Sequence, residues 1–265
     1  MNLFEALILG LIQGLTEFLP VSSSGHLAIA SSLLGIEGAD NLMFAVAVHA
    51  ATVLATVCVL WKEIGRLATS FFTFRKNADS QMVLKLLLSM IPVAIVGIFL
   101  KDYVEALFGE GLLLTGIMLL LTAVLLTFTY LVRSEGTGKV SFRDAFVIGI
   151  AQAVAVLPGL SRSGSTIATG ILLGNRRADV AKFSFLMVII PVLGEALLDI
   201  MKGDFSTSAT GISPITLAAG FIMAFVSGAV ACRWMLKLVA KGKLVYFAWY
   251  CVAAGAFAIV LSLVK

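Results

Sequence analysis

Six runs of mostly apolar residues constrain this chain more than anything else, at roughly 42–61, 82–100, 112–133, 181–200, 214–235 and 244–264. Each is close to the about 20 residues that a helix needs to cross a bilayer. Hydrophobic residues make up 60% of the 265 and charged residues 13%, and the mean hydropathy is +1.06. Such a balance excludes a water-soluble domain and leaves a polytopic membrane protein, all-α in class. The net charge of +4 does not indicate nucleic acid, because the basic residues sit between apolar runs without interleaved aromatics. Membrane topology accounts for them.

Two further pairs of apolar segments are too short to span. Residues 2–15 and 25–35 flank one polar loop, and 144–157 and 164–173 flank another. Segments of about 10–14 residues suit re-entrant hairpins, whose non-helical tips are tolerated at depth only when buried in protein or lining a wet cavity. A gapless shift of 139 positions aligns Ala6, Gly10, Gln13, Ser22, Ser24, Gly25, Leu33, Leu34 and Gly35 with Ala145, Gly149, Gln152, Ser161, Ser163, Gly164, Leu172, Leu173 and Gly174. The Ser-x-Ser-Gly match inside each loop carries most weight. One hairpin plus three spans makes each repeat, approximately 1–138 and 139–265, within a single integral membrane domain. An odd number of crossings inverts the second copy, as in many transporters.

Counting lysines and arginines by side gives fifteen against three, with Arg162 set aside. The basic face takes in 62–81, 134–180 and 236–243 and is expected in the cytoplasm, with both termini outside. The first hairpin then enters from outside and the second from the cytoplasm, so their tips can meet near the midplane. Met1 to Gly10 lacks a basic stretch and carries Glu5, unlike a signal peptide. Cys58, Cys232 and Cys251 all lie in apolar runs, with neither disulfide nor metal-ligand spacing.

The first loop lies in QGLTEFLPVSSSGHL, Gln13 to Leu27, and the second in LPGLSRSGST, Leu157 to Thr166. An arginine at membrane depth costs about 3 kcal/mol or more unless it is paired or faces water. Arg162 is therefore the most telling residue. Ser161, Ser163, Ser165 and Thr166 offer hydroxyls beside it, Gly159 and Gly164 allow close backbone approach, and a helix starting near Gly164 would present its N-terminus. That combination suits phosphate. In the first loop, Glu17 can hold a hard cation such as Mg2+ or Ca2+, with Gln13 four residues earlier on the same face. His26 can act as general acid or base. Ser22, Ser23 and Ser24, with Gly25, can supply a nucleophile or bind phosphate. The blander alternative makes Glu17 and His26 interfacial residues and the serines a helix cap. His49 can reach the site or make a structural hydrogen bond. Glu195, Asp199 and Lys85 need no special role. Pro92 and Pro191 are expected to kink their helices, and 62–81 reads as an amphipathic connector.

These two strings closely resemble the signature motifs of the undecaprenyl-diphosphatase family, the bacitracin-resistance proteins, and the likeness extends over nearly the whole chain. The resemblance implies an enzyme of the bacterial cytoplasmic membrane. It would remove the terminal phosphate of undecaprenyl pyrophosphate, recycle the carrier lipid for peptidoglycan and other envelope polymers, and give bacitracin resistance. A divalent cation and a site open to the outer side are implied too, with bacitracin competing for substrate. Carried over by position, the first motif points to Glu17, Ser23 and His26 and the second to Ser161 and Arg162. Some relatives have a second glutamate where this chain has Gln13, so any metal here should rest largely on Glu17 and the diphosphate, with Gln13 a lesser donor. A serine helped by His26 is the expected nucleophile. Homo-oligomerisation is left open.

Two rivals remain to be weighed. The acid-phosphatase superfamily of lipid phosphatases requires another histidine after its Ser-Arg motif, but only His26 and His49 occur here. A transporter or flippase of polyprenyl phosphate lipids, using the same midplane site, is the stronger rival on architecture.

Overall fold

The computed structural model describes residues 1–36, 39–73, 77–108, 111–131, 138–202, 211–242 and 244–264, excluding the side chains of 39–42, 101, 105, 108, 195, 196 and 198–202. The described residues are helical and contain no β-strand, only an isolated bridge between Gly138 and Asn175.

In chain order, α1 (Leu3–Phe18) and α2 (Ser23–Leu34) form the first hairpin. There follow α3 (Ala39–Val59), α4 (Trp61–Phe72), α5 (Ala78–Phe99), α6 (Lys101–Phe108) and α7 (Leu112–Leu131). The second hairpin is α8 (Phe142–Val154) with α9 (Arg162–Leu172). Then come α10 (Arg177–Met187), α11 (Ile189–Lys202), α12 (Pro214–Ala240) and α13 (Val245–Val264). The expected short, broken segments are thus real helical hairpins.

Four helices, α5, α7, α12 and α13, are long and apolar enough to cross a bilayer. The count rises to five if α3 and α4, bent by 78° at their junction, are taken as one. The expected run at 181–200 is not one straight helix. It breaks at Val188, between α10 and α11. Pro191 explains this: it has no N–H for the carbonyl of Met187, four residues back, and its ring crowds that carbonyl. Pro92, by contrast, lies within the continuous α5. The connector after the first run becomes α4, which buries Leu67 and Ser70 while exposing Trp61 and Phe72. The side chains of Glu195 and Asp199 lie outside the described residues.

Large apolar side chains such as Ile98, Trp249 and Leu263 face outward, as lipid contact allows. Small residues let the helices approach closely, the usual device between helices in a membrane. A Cβ at Gly10 of α1 would lie 2.4 Å from the carbonyl oxygen of Gly220 in α12, and one at Gly149 of α8 would lie 2.4 Å from that of Ser89 in α5. The hairpins are therefore seated alike, each with a glycine against the backbone of a long helix. Gly116 of α7 and Gly255 of α13 face one another reciprocally. A Cβ on either would come within 2.9 Å of the other's carbonyl oxygen. They too are 139 residues apart, a further match across the two halves.

Candidate functional site

Both hairpin tips use one local device. Ser22 caps α2 by accepting a hydrogen bond from the N–H of Gly25 at 3.2 Å, and Ser161 caps α9 by accepting from Gly164 at 3.0 Å. Ser22 also lies 3.2 Å from Ser24, and Ser161 3.4 Å from Ser163, oxygen to oxygen. The caps satisfy N–H groups that a helix start leaves open. Each hairpin ends on a left-handed glycine, Gly35 or Gly174, a common helix stop.

The tips touch. Gly159 donates its N–H to Ser24 Oγ (3.4 Å), and Ser163 Oγ donates to the carbonyl of Leu19 (3.1 Å). Arg162, first residue of α9, reaches across and pairs through a terminal guanidinium nitrogen with Glu17 Oε1. The two loops expected to meet do so, through an arginine–carboxylate ion pair.

Glu17 is the hub. It sits in the last turn of α1, which stops because the residue preceding Pro20 is held extended. Its other oxygen, Oε2, accepts from Gln13 Nε2 at 2.8 Å and from Ser23 Oγ at 2.7 Å, and His49 Nε2 of α3 stands 3.4 Å away. The carboxylate is only 5% exposed. A charge so placed must be paired, and here Arg162, Gln13 and Ser23 serve, while His49 can donate through Nε2 only when its ring is doubly protonated. His49, left between two roles by sequence, does both: Nδ1 donates to the carbonyl of Ala45 (2.8 Å) while Nε2 faces Glu17.

His26 is held differently. Its Nδ1 lies 2.8 Å from the carbonyl oxygen of Ser22, and since a carbonyl only accepts, Nδ1 carries the proton. Nε2 then accepts from the phenol of Tyr250 at 2.8 Å, and the two rings stack with centroids 5.4 Å apart. The structure pairs Ser23 with Glu17 and His26 with Tyr250, rather than Ser23 with His26. Tyr250 had no signal in the sequence, being one aromatic among several in the last apolar run.

The remaining candidates divide. Ser22, Ser24, Ser161 and Ser163 line the junction of the tips, while the N–H groups of Gly25 and Gly164 are taken by the caps. The hydroxyl of Thr166 turns away to Ser184 of α10 (2.6 Å), and Ser165 is buried with its hydroxyl unpartnered. Ser22 has φ 68°, rare for a residue with a side chain, and is the one such non-glycine among the described residues. Its carbonyl holds both the N–H of His26 (3.2 Å) and the imidazole. Strain of this kind collects at functional sites.

Among the described residues, no three His, Cys, Asp or Glu side chains cluster as a metal-ligand group. The donors available for a hard cation are oxygens, and one is idle: Gln13 Oε1 is buried without a hydrogen-bond partner beside Glu17. That unmet acceptor, next to a carboxylate and hydroxyls, fits Mg2+ or Ca2+ completed by substrate oxygens.

Comparison with known proteins now bears on this geometry. The family described as "Bacitracin resistance protein BacA" matches residues 6–257. The chain belongs to this family. Undecaprenyl-diphosphatase from Parabacteroides distasonis is 59% identical over 266 residues, covering 100% of both chains. Proteins of the same name from Bacteroides fragilis and Bacteroides thetaiotaomicron are 59% and 57% identical, each covering 99% of this chain and 99% and 100% of their own. The BacA match takes in the second hairpin, the first from Ala6 onward and every residue of the Glu17 hub.

Proposed function

We propose that this protein hydrolyses undecaprenyl diphosphate to undecaprenyl phosphate and inorganic phosphate, returning the carrier lipid to envelope synthesis and conferring bacitracin resistance. The Glu17–Arg162 pair carries this reading, because it joins the family's two motifs, 145 residues apart, into one buried site. Near-full-length relatives that bear the phosphatase name support it.

In the proposed mechanism, substrate phosphate draws Arg162 away from Glu17, and the guanidinium fork takes two phosphoryl oxygens. Ser23 Oγ attacks the terminal phosphorus as Glu17 Oε2, already 2.7 Å away, accepts its proton. The bond from that phosphorus to the bridging oxygen breaks, and undecaprenyl phosphate leaves with the electron pair. Water then attacks the phosphoserine, giving a proton to the bare Nε2 of His26; the bond from phosphorus to Ser23 Oγ breaks, Glu17 returns its proton to that oxygen, and phosphate departs and takes the proton from His26. Arg162 offsets charge on the transferred group throughout. A divalent cation would be held by Glu17 and Gln13 Oε1, where it would neutralise the diphosphate. Serine hydroxyls at both tips, Ser22, Ser24, Ser161 and Ser163, orient phosphate oxygens.

The same proposal sets six crossings and two re-entrant hairpins in inverted repeats in the bacterial cytoplasmic membrane. Both termini lie outside and the site opens outward. Matched hairpin caps and the reciprocal Gly116–Gly255 approach support the repeat, and the fifteen-to-three distribution of basic residues supports the orientation. Bacitracin, by sequestering the diphosphate, competes with the enzyme. The likeness of the two hairpins also favours a second activity, movement of the carrier lipid between leaflets. Labelled lipid failing to cross reconstituted vesicles faster than in protein-free ones removes it.

The deciding experiment is phosphate release from a polyprenyl diphosphate by purified protein, with Mg2+ or Ca2+ against chelator. Metal-dependent release is expected. A folded protein that releases nothing under either metal overturns the hydrolase reading.

A further inference from the structure

We infer that Tyr250 is a positioning residue of this site, which holds the His26 imidazole in one tautomer and orientation by hydrogen bond and ring stacking. This rests on the hydrolase reading above, in which His26 acts through Nε2.

Three observations converge. The carbonyl of Ser22 fixes the proton on Nδ1 of His26, so the lone pair at Nε2 is what remains for chemistry. The phenol of Tyr250 lies 2.8 Å from that same nitrogen and, because Nε2 carries no proton, the hydroxyl must be the donor. Its ring lies nearly parallel to the imidazole, at 8°, so the contact restrains rotation of His26 as well as capping it. Next along α13, the thiol of Cys251 reaches the carbonyl of Pro20 at 3.6 Å. One turn of α13 thus braces the first loop on both sides of its strained residue, Ser22.

The chemical consequence is specific. A histidine that takes a proton from water needs Nε2 aimed at the site and its tautomer settled beforehand. Ser22 settles the tautomer from one side and Tyr250 holds the ring from the other. When a water enters to cleave the phosphoserine, the phenol yields Nε2 to it and afterwards recaptures the ring. Tyr250 is half-exposed, so it has room for that movement. It need not touch substrate.

The test is Tyr250→Phe, which keeps the ring and removes the hydroxyl. Tyr246→Phe serves as control, one turn earlier on the same helix and largely exposed. Only two histidines occur in the chain, so protein carrying 15N-labelled histidine has two sets of imidazole signals, assigned with His49→Gln. Removing the phenol should move the Nε2 resonance of His26 toward that of a free lone pair and leave its Nδ1 resonance in place. Turnover of polyprenyl diphosphate should fall about tenfold in kcat with little change in KM, as for a group acting through the catalytic base. Tyr246→Phe should alter neither. An unmoved Nε2 signal in Tyr250→Phe overturns the contact, and a moved signal with unchanged kcat overturns its role in turnover. Failure of the wild type to release phosphate defeats the hydrolase reading and this role with it. The resonances decide the contact in either case.

Discussion

The two hairpins have one scaffold and two different chemistries. Each opens its second helix on a serine cap three residues before the glycine whose N–H it holds, each ends on a left-handed glycine, and each seats its first helix by glycine against a long helix. They differ at the positions proposed to bear function. Where the first hairpin has Glu17, Ser23 and His26, the shift of 139 puts Val156, Arg162 and Ser165 in the second. The first holds carboxylate, hydroxyl and imidazole; the second holds the cation. Their backbones diverge as well: Ser22 is strained at φ 68° and its mate Ser161 is relaxed at φ −70°. The duplicated device supplies precise loop geometry, and four side chains, Glu17, Ser23, His26 and Arg162, then divide the labour proposed above. Neither half is a complete site.

That division should break most sharply when either half loses its charge. Glu17→Gln and Arg162→Ala should each lower phosphate release by about 10³-fold or more, the scale of removing a transition-state partner. Arg162→Lys, charged but without the fork, should recover only part of it. Activity within tenfold of wild type in Arg162→Ala would make the second hairpin a structural copy only.

If the scaffolds are equivalent, matched lesions should cost alike. Gly10→Ala and Gly149→Ala each force a methyl against a carbonyl oxygen 2.4 Å away, and overpacking of this kind costs about 1–3 kcal/mol. Thermal unfolding in detergent should show similar drops in Tm for both. A large drop in one alone would mean that the hairpins are not seated equivalently.

The paired glutamines sharpen the chemical difference. Gln13→Glu places a second carboxylate beside Glu17 and should lower the half-saturating Mg2+ or Ca2+ concentration for phosphate release about tenfold. Gln152→Glu, buried in α8 where the amide has no hydrogen-bond partner among the described residues, should reduce folded yield and leave the metal requirement unchanged. An equal metal response in both variants would dissolve the distinction.

The smallest effect concerns the caps. Ser161→Ala should lose about 1 kcal/mol of stability. Ser22→Gly should lose less than Ser161→Gly, since glycine relieves the positive φ present only at Ser22. Chemical denaturation of the two variants compares them directly, and equal losses would deny the strain.

Much of this site was legible in advance because the caps, the stop at Pro20 and the glycine ends are short-range events. They arise between residues a few positions apart, and the Ser-x-Ser-Gly spacing announces them. The meeting of the tips followed from charge bias and repeat count. What could not be read was which atoms pair. A serine helped by His26 was expected, and Ser23 lies on Glu17 instead; Thr166 was expected at phosphate and bonds to Ser184. Each outcome depends on how neighbouring helices direct a side chain, and local pattern does not contain that direction.

The residues themselves therefore determined the environment, the two broken hairpins, their duplicated caps and the polar groups able to handle phosphate. These follow from the hydrophobic length of a bilayer and from hydrogen bonds closed within a turn. Only the tertiary structure decided that Arg162 answers Glu17 across 145 residues, that His49 joins the hub from α3, and that Tyr250 meets His26 across 224. Those pairings are set by the separation of packed helices. Glycine contacts such as Gly116 on Gly255 draw α7 and α13 together, and no spacing along the chain encodes where a side chain then arrives.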